Sequence, residues 1–156
     1  LGFIGICMVA VQGFLIRWVL PRTGLRFAGI IGMLFTIAAF MGYAAVNSPW
    51  MIYMVMLTGA LGALAGPAMQ GIASSQVGAS QQGELQGGLS SMMSLTSIIS
   101  PILMTQTFGL FTSDQAPVYF PGAAFLLAGV LTIGSLGLFI RVTRELGGAT
   151  AQQPRR

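Results

Sequence analysis

The side chains able to do chemistry in this 156-residue chain fall into three sets. Hydroxyls recur at Ser90, Ser94, Ser97 and Thr105, spaced i, i+4, i+7 and i+15, with Pro101 completing the stripe. Met92, Met93, Leu95, Ile98, Ile99, Ile102 and Leu103 fill the other faces of what this spacing predicts to be a helix. Such a stripe either bonds back to carbonyls of its own helix or forms a wetted wall, because Pro101 frees a carbonyl near Ser97. Two amides, Gln12 and Gln70, stand in apolar surroundings. Each needs a partner, found by bonding a neighbouring helix or by lining a polar cavity. The third set is charged: arginines at 17, 22, 26, 141, 144, 155 and 156, against Glu84, Asp114 and Glu145, for a net charge of +4.

Several chemistries are excluded by what these sets omit. With zero histidines and the single Cys7 inside an apolar run, neither an intrachain disulfide nor a metal cluster can be assembled. No base stands beside a nucleophile and no carboxylates pair, so no catalytic residues, metal site or cofactor are expected and the chain does not read as an enzyme. The arginines flank apolar runs instead of forming a patch interleaved with aromatics, which argues against a nucleic-acid partner. No predicted helix interior holds Asp, Glu, Lys or His, so any proton-coupling group is expected outside this sequence.

The elements that position these groups follow from composition. Hydrophobic residues make up 54% and charged residues 6%, against roughly 25% charged in a soluble domain, so membrane lipid is the expected solvent. A span takes about 20 apolar residues, and five segments qualify: 1–20, 27–46, 50–71, 85–111 and 121–142. Turn residues separate them, among them Pro21-Arg22-Thr23-Gly24 and Asn47-Ser48-Pro49. The reading is an all-α membrane protein, with a transmembrane bundle over 1–146 and a polar tail over 147–156.

Short connections force antiparallel neighbours, so loops alternate between the two sides. Arg17, Arg22 and Arg26 at the first turn fall on the same side as the arginines of the tail, and that side is expected to be cytoplasmic, the C-terminus with it. Trp18, Trp50, Tyr53 and Tyr119 fall near the inferred interfaces. Leu1 lies directly in hydrophobic sequence without a basic n-region, which reads as a truncation rather than a signal peptide.

Two prolines and a run of glycines punctuate the spans. Gly62 and Gly66, flanked by Gly59, Ala60 and Ala63, make a small-xxx-small pair that suits close helix packing. Pro67 removes a backbone bond there and loosens the helix, as Pro101 does in the fourth span; such positions serve packing or act as hinges beside a transport path. Gln70 shares a face with Gly59, Ala63 and Gly66 at helical spacing. Glu84 opens the fourth span, where a carboxylate meets the positive end of the helix dipole. The methionines, Met93 among them, are either lipid-facing filler or adaptable contacts for varied ligands.

Gly66-Pro67-Ala68-Met69-Gln70-Gly71, followed by Gln82-Gly83-Glu84-Leu85-Gln86-Gly87 and by Ser94-Leu95-Thr96-Ser97 through Pro101, resembles the tetracycline-resistance branch of the drug:proton antiporters in the major facilitator superfamily. The loop from Arg17 to Arg26 looks like the degenerate second copy of that family's basic loop. The resemblance implies helices eight to twelve of a twelve-helix transporter, hence five helices of a C-terminal six-helix bundle in an inner or plasma membrane. It further implies amphipathic drugs such as tetracycline-like compounds, and protons, as partners, and an N-terminal half of the same transporter as the missing remainder. Helices eight, ten and eleven would face the cavity, which makes Gln12, Gln70, Ser90, Met93, Ser94 and Ser97 the expected pathway residues. Thr36 stands where tetracycline-exporting members commonly carry an aspartate, and 27–46 fits a peripheral helix. The competing reading is a scaffold or accessory subunit that binds partner helices through its small-residue faces.

Overall fold

The computed structural model describes residues 22–113, Ala116 and 118–151, with side chains to Leu146, and Gly2, Gly5, Val9, Val11, Gly13 and Arg17 of the first segment. Five helices follow in order: α1 Leu25–Ala45, α2 Pro49–Gly62, α3 Ala65–Ser75, α4 Gln82–Thr112 and α5 Ala123–Ala151, with a short 3₁₀ turn at Ala79–Gln81 leading into α4. α2 and α3 lie in one span, so four stretches are long and apolar enough to cross a membrane: Leu25–Ala45, Pro49–Ser75, Ala79–Thr112 and Ala123–Leu146. The chain is an all-α membrane protein. The expected span at 1–20 falls mostly outside the described residues; the six described there are helical, and Val11 is buried against Ala60 and Leu64.

Helix starts and stops have local causes. Gly24 takes φ 79°, a left-handed conformation open to glycine at little cost, and turns the chain from Arg22-Thr23 into α1. Pro49 sits at the start of α2, where its missing N–H removes nothing. Pro67 explains the break between α2 and α3. It cannot donate to the carbonyl four residues back, that of Ala63, and the chain tightens there: Ala63 N–H bonds Ala60 C=O at 3.1 Å and Leu64 N–H bonds Leu61 C=O at 3.3 Å, both three residues back. Pro101, by contrast, lies inside an uninterrupted α4.

α1 is the packing centre of the described residues and touches α2, α3 and α5. Against α2 and α3 it runs antiparallel in constant register. Gly42 faces Val55, Gly59 faces Ala39, Gly62 faces Thr36, Gly32 faces Ala65, Gly29 faces Ala68 and Gly71 faces Leu25. The closest approach is at the middle. A Cβ on Gly62 would collide with Thr36 Oγ1, and one on Gly32 would collide with the Ala65 amide nitrogen and lie 2.9 Å from its Cα. Glycine on both sides is what lets the backbones meet there.

α5 covers a second face of α1, also antiparallel. Gly122 abuts Ala44, Gly129 abuts Met41 and Gly29 abuts Phe139, while the Tyr43 and Phe125 rings stack with centroids 5.2 Å apart. Thr143 is buried with its hydroxyl donating to Phe139 C=O at 2.7 Å. These registers gather Arg22 and Arg26 at the start of α1, Arg141 and Arg144 late in α5, and the turn at 76–81 at one end of the bundle. Trp50, Tyr53 and Tyr119, all exposed, stand at the other end.

Candidate functional site: the open face of α4 and its amide clasp

α4 differs from its neighbours: none of its 31 residues is buried. Its middle stands clear of the bundle, with Met92, Met93, Leu95 and Ile98 all largely exposed. The helix is tied at its two ends. At the far end Phe120 N–H donates to Phe111 C=O at 3.0 Å. At the arginine end three side-chain bonds join it to α3: Gln70 Nε2 donates to Gln86 Oε1 at 3.3 Å, Ser74 Oγ to Gln82 Oε1 at 3.1 Å, and Gln82 Nε2 to Ser74 C=O at 2.9 Å.

The hydroxyl stripe lies on this open helix. Ser90, Ser94 and Ser97 are exposed. Ser94 Oγ donates to Ser90 C=O at 3.0 Å and Ser97 Oγ to Ser94 C=O at 2.8 Å; Ser91, Thr96 and Thr107 bond back in the same way. Each of these hydroxyls spends its proton on its own helix, and each oxygen keeps lone pairs toward open space as an acceptor.

Gln70 is brought to α4, whereas Gln12 lies outside the described residues. Met93 is 75% exposed beside the stripe. Gly62 is buried at the crossing with Thr36, while Gly66 and Pro67 are exposed on the side away from α1, and a Cβ on Gly66 would meet nothing within 4 Å. Glu84 occupies the first turn of α4, as its charge favours. Arg17, Arg22 and Arg26 precede or open α1. Sequence reasoning missed Ser74, Gln82 and Gln86 as a unit with Gln70. The available signal was the four-residue spacing on each side, Gln70 to Ser74 and Gln82 to Gln86, about a turn at 76–81.

Among the described residues no group of three His, Cys, Asp or Glu is placed to hold a metal ion. The ion pair of Arg141 Nε with Glu145 Oε1, at 3.4 Å, is exposed and contributes little. What the arrangement offers chemically is hydrogen bonding to a neutral or amphipathic molecule along a wall of thioethers, methyls and hydroxyls.

Over 128 residues, 81% of this chain and 32% of the relative, it is 32% identical to the class C tetracycline resistance protein of Escherichia coli. The chain is tetracycline-resistance-like in sequence. Over 82 residues, 53% of this chain and 20% of the relative, it is 42% identical to the class D tetracycline resistance protein of Salmonella ordonez. The class B tetracycline resistance protein of Escherichia coli is 29% identical over 119 residues, 76% of this chain and 29% of the relative. The matched region is thus about a fifth to a third of the length of these tetracycline resistance proteins. No family model and no solved structure matches the chain.

Proposed function

We propose that the chain forms part of the drug path of a membrane exporter of amphipathic compounds, tetracyclines among them. α4 supplies one wall, and the broken α2–α3 span supplies the wall beside it. The observation that carries this reading is the exposure of the whole α4 stripe in a chain similar to tetracycline resistance proteins. A helix whose hydroxyl face is left uncovered by its own bundle is available to a cavity. Gln70, Ser90, Met93, Ser94 and Ser97 would contact drug, with Gln12 on the first segment, while Gly62, Gly66, Pro67 and Pro101 supply close packing and flexure.

Proton antiport with alternating access fits this reading, the titratable group lying outside these helices because no described span interior carries one. The remaining helices of such an exporter would complete the cavity. The arginine end is assigned to the cytoplasm by the positive-inside rule, which puts the protein in a plasma or inner membrane with its C-terminus inside. The bundle over 1–146 acts as one unit in this reading.

The test is cysteine scanning in a Cys7→Ser background. Ser90→Cys, Ser94→Cys and Ser97→Cys should react with a water-soluble thiol reagent and be protected by drug, and Ile98→Cys and Ile102→Cys should stay silent. The back-bonding of Ser94 and Ser97 favours a second reading, a scaffold whose stripe only packs against a partner helix. Uniform silence along the stripe would select it.

A further inference from the structure

The two rungs that join α3 to α4 share one register. Four residues back along α3 are met by four forward along α4, so Ser74 meets Gln82 and Gln70 meets Gln86. The next rung into the membrane would pair Gly66 with Ser90. There the helices have already parted, since a Cβ on Gly66, or on Gly87 one turn before Ser90, would meet nothing within 4 Å. α3 itself is fixed to α1, with Gly71 against Leu25 and Ala68 fully buried beside Gly29. No residue of α4 is buried, and at this end only Gln82, Leu85 and Leu89 are half-buried. Movement at this end therefore means movement of α4, and the apolar surface it exposes is limited to the two half-buried leucines.

The geometry points to a releasable clasp: Gln70–Gln86 and Ser74–Gln82 set how far the arginine end of α4 stands from α3, and so whether the crevice bordered by Gly66 and Ser90 is open or shut on that side. The partners are neutral, and at the end of a span each can trade its bond for water. A neutral bond of this kind is worth about a fivefold change in an equilibrium constant. Three together hold the closed form by about a hundredfold, a margin that differential binding of a ligand can overturn. Ion pairs in the same place would carry a salt-dependent margin; amides and a hydroxyl keep it indifferent to salt and to pH. The significance of opening rests on the reading of α4 as a path wall, but the clasp itself is tested without any transported drug.

The experiment uses the full chain in membrane vesicles, in a Cys7→Ser background, with Ser90→Cys reporting on the crevice and Ile98→Cys as the control. Labelling by a membrane-impermeant maleimide from the arginine side is timed. Gln86→Leu, which removes one bond, should raise the Ser90→Cys rate about fivefold, and Gln82→Leu with Gln86→Leu should raise it by tens. Bridging Gln70→Cys to Gln86→Cys with a short bis-maleimide before labelling should bring it to background. The Ile98→Cys rate should stay within about twofold throughout. A Ser90→Cys rate unmoved by loss of the clasp overturns the inference. So does a rise at Ile98→Cys in parallel with Ser90→Cys, which would mean that α4 melts instead of swinging.

Discussion

Gly32→Ala, Gly59→Ala and Gly66→Ala make the same chemical change at three helical glycines and should give opposite results. Alanine is favoured over glycine inside a helix by roughly 0.5–1 kcal/mol, and this gain is common to all three. The added methyl meets different surroundings. At Gly59 it would lie 3.5 Å from Ala39 Cβ, an ordinary contact, and at Gly66 it would meet no atom of another segment within 4 Å but would crowd the ring of Pro67, the next residue of the helix. At Gly32 it would collide with the Ala65 amide nitrogen and stand 2.9 Å from Ala65 Cα. Backbone atoms cannot rotate aside, so α1 and α3 must separate, at the upper part of the 1–3 kcal/mol range for overpacking. The net expectation is a loss of about 1–2 kcal/mol for Gly32→Ala, a gain of about 0.5 kcal/mol or more for Gly59→Ala, and a smaller net change for Gly66→Ala, where crowding against Pro67 offsets the gain. The spread of about 2 kcal/mol is ~30-fold in the unfolding constant. Denaturant unfolding of the purified protein in detergent micelles, followed by far-ultraviolet circular dichroism, measures it. If Gly32→Ala proves as stable as Gly59→Ala, the close crossing of α1 with α3 is wrong.

Four further outcomes are expected. Pro67→Ala restores an N–H able to reach Ala63 C=O, so α2 and α3 should fuse and amide hydrogen exchange at Ala63–Leu64 should slow; unchanged exchange would mean that the break has another cause. Thr36→Asp places a carboxylate at the Gly62 crossing, where insertion scales assign an aspartate a cost of about 2.5–3.5 kcal/mol, and folded yield should fall; wild-type yield would refute a closely packed Thr36. With threonine there, the complete transporter should protect cells more against uncharged amphipathic drugs than against tetracycline, and resistance confined to tetracyclines in a susceptibility panel would refute that. Thr23→Cys and Gln152→Cys should label from the cytoplasmic side and Asp114→Cys from outside, whereas labelling of all three from one face would overturn the topology.

The all-α membrane class was legible because lipid demands long apolar runs, and the described residues form four stretches long and apolar enough to cross a membrane. α4 starts at Gln82 instead of 85 and the α2–α3 span runs to Ser75 instead of 71, because polar residues continue a helix past the apolar core once its hydrogen bonds are running. α5 is helical through Ala151, into the stretch read as a tail. The position of the Pro67 break was also legible, but its effect on neighbouring faces was not. Each residue in a 3₁₀ turn advances about 120° instead of about 100°, so the turn at Ala63–Leu64 rotates α3 relative to α2. Gly62 therefore faces α1 and Gly66 does not, though an unbroken helix would align them. Of the candidate pathway residues, the hydroxyl stripe was visible because its period lies within one helix. The partner of Gln70 was not, because it sits 16 residues away across a turn and only the fixed register of α3 on α4 brings Gln86 to it.

The bare flanks of α4 also bear on how readily this protein can change. A substitution in α1 is constrained by three neighbouring helices at once, so most alterations there reduce the amount of folded protein before they alter anything else. Between Ser90 and Thr105 none of the residues is buried by the described part of the chain. Single exchanges of serine, methionine or isoleucine in that stretch alter what the helix presents while leaving the assembly of α1, α2, α3 and α5 untouched. In the proposed reading of α4 as a path wall, new ligand preferences should accumulate on α4 first under changing selection, and α1 should be the slowest part of the sequence to drift.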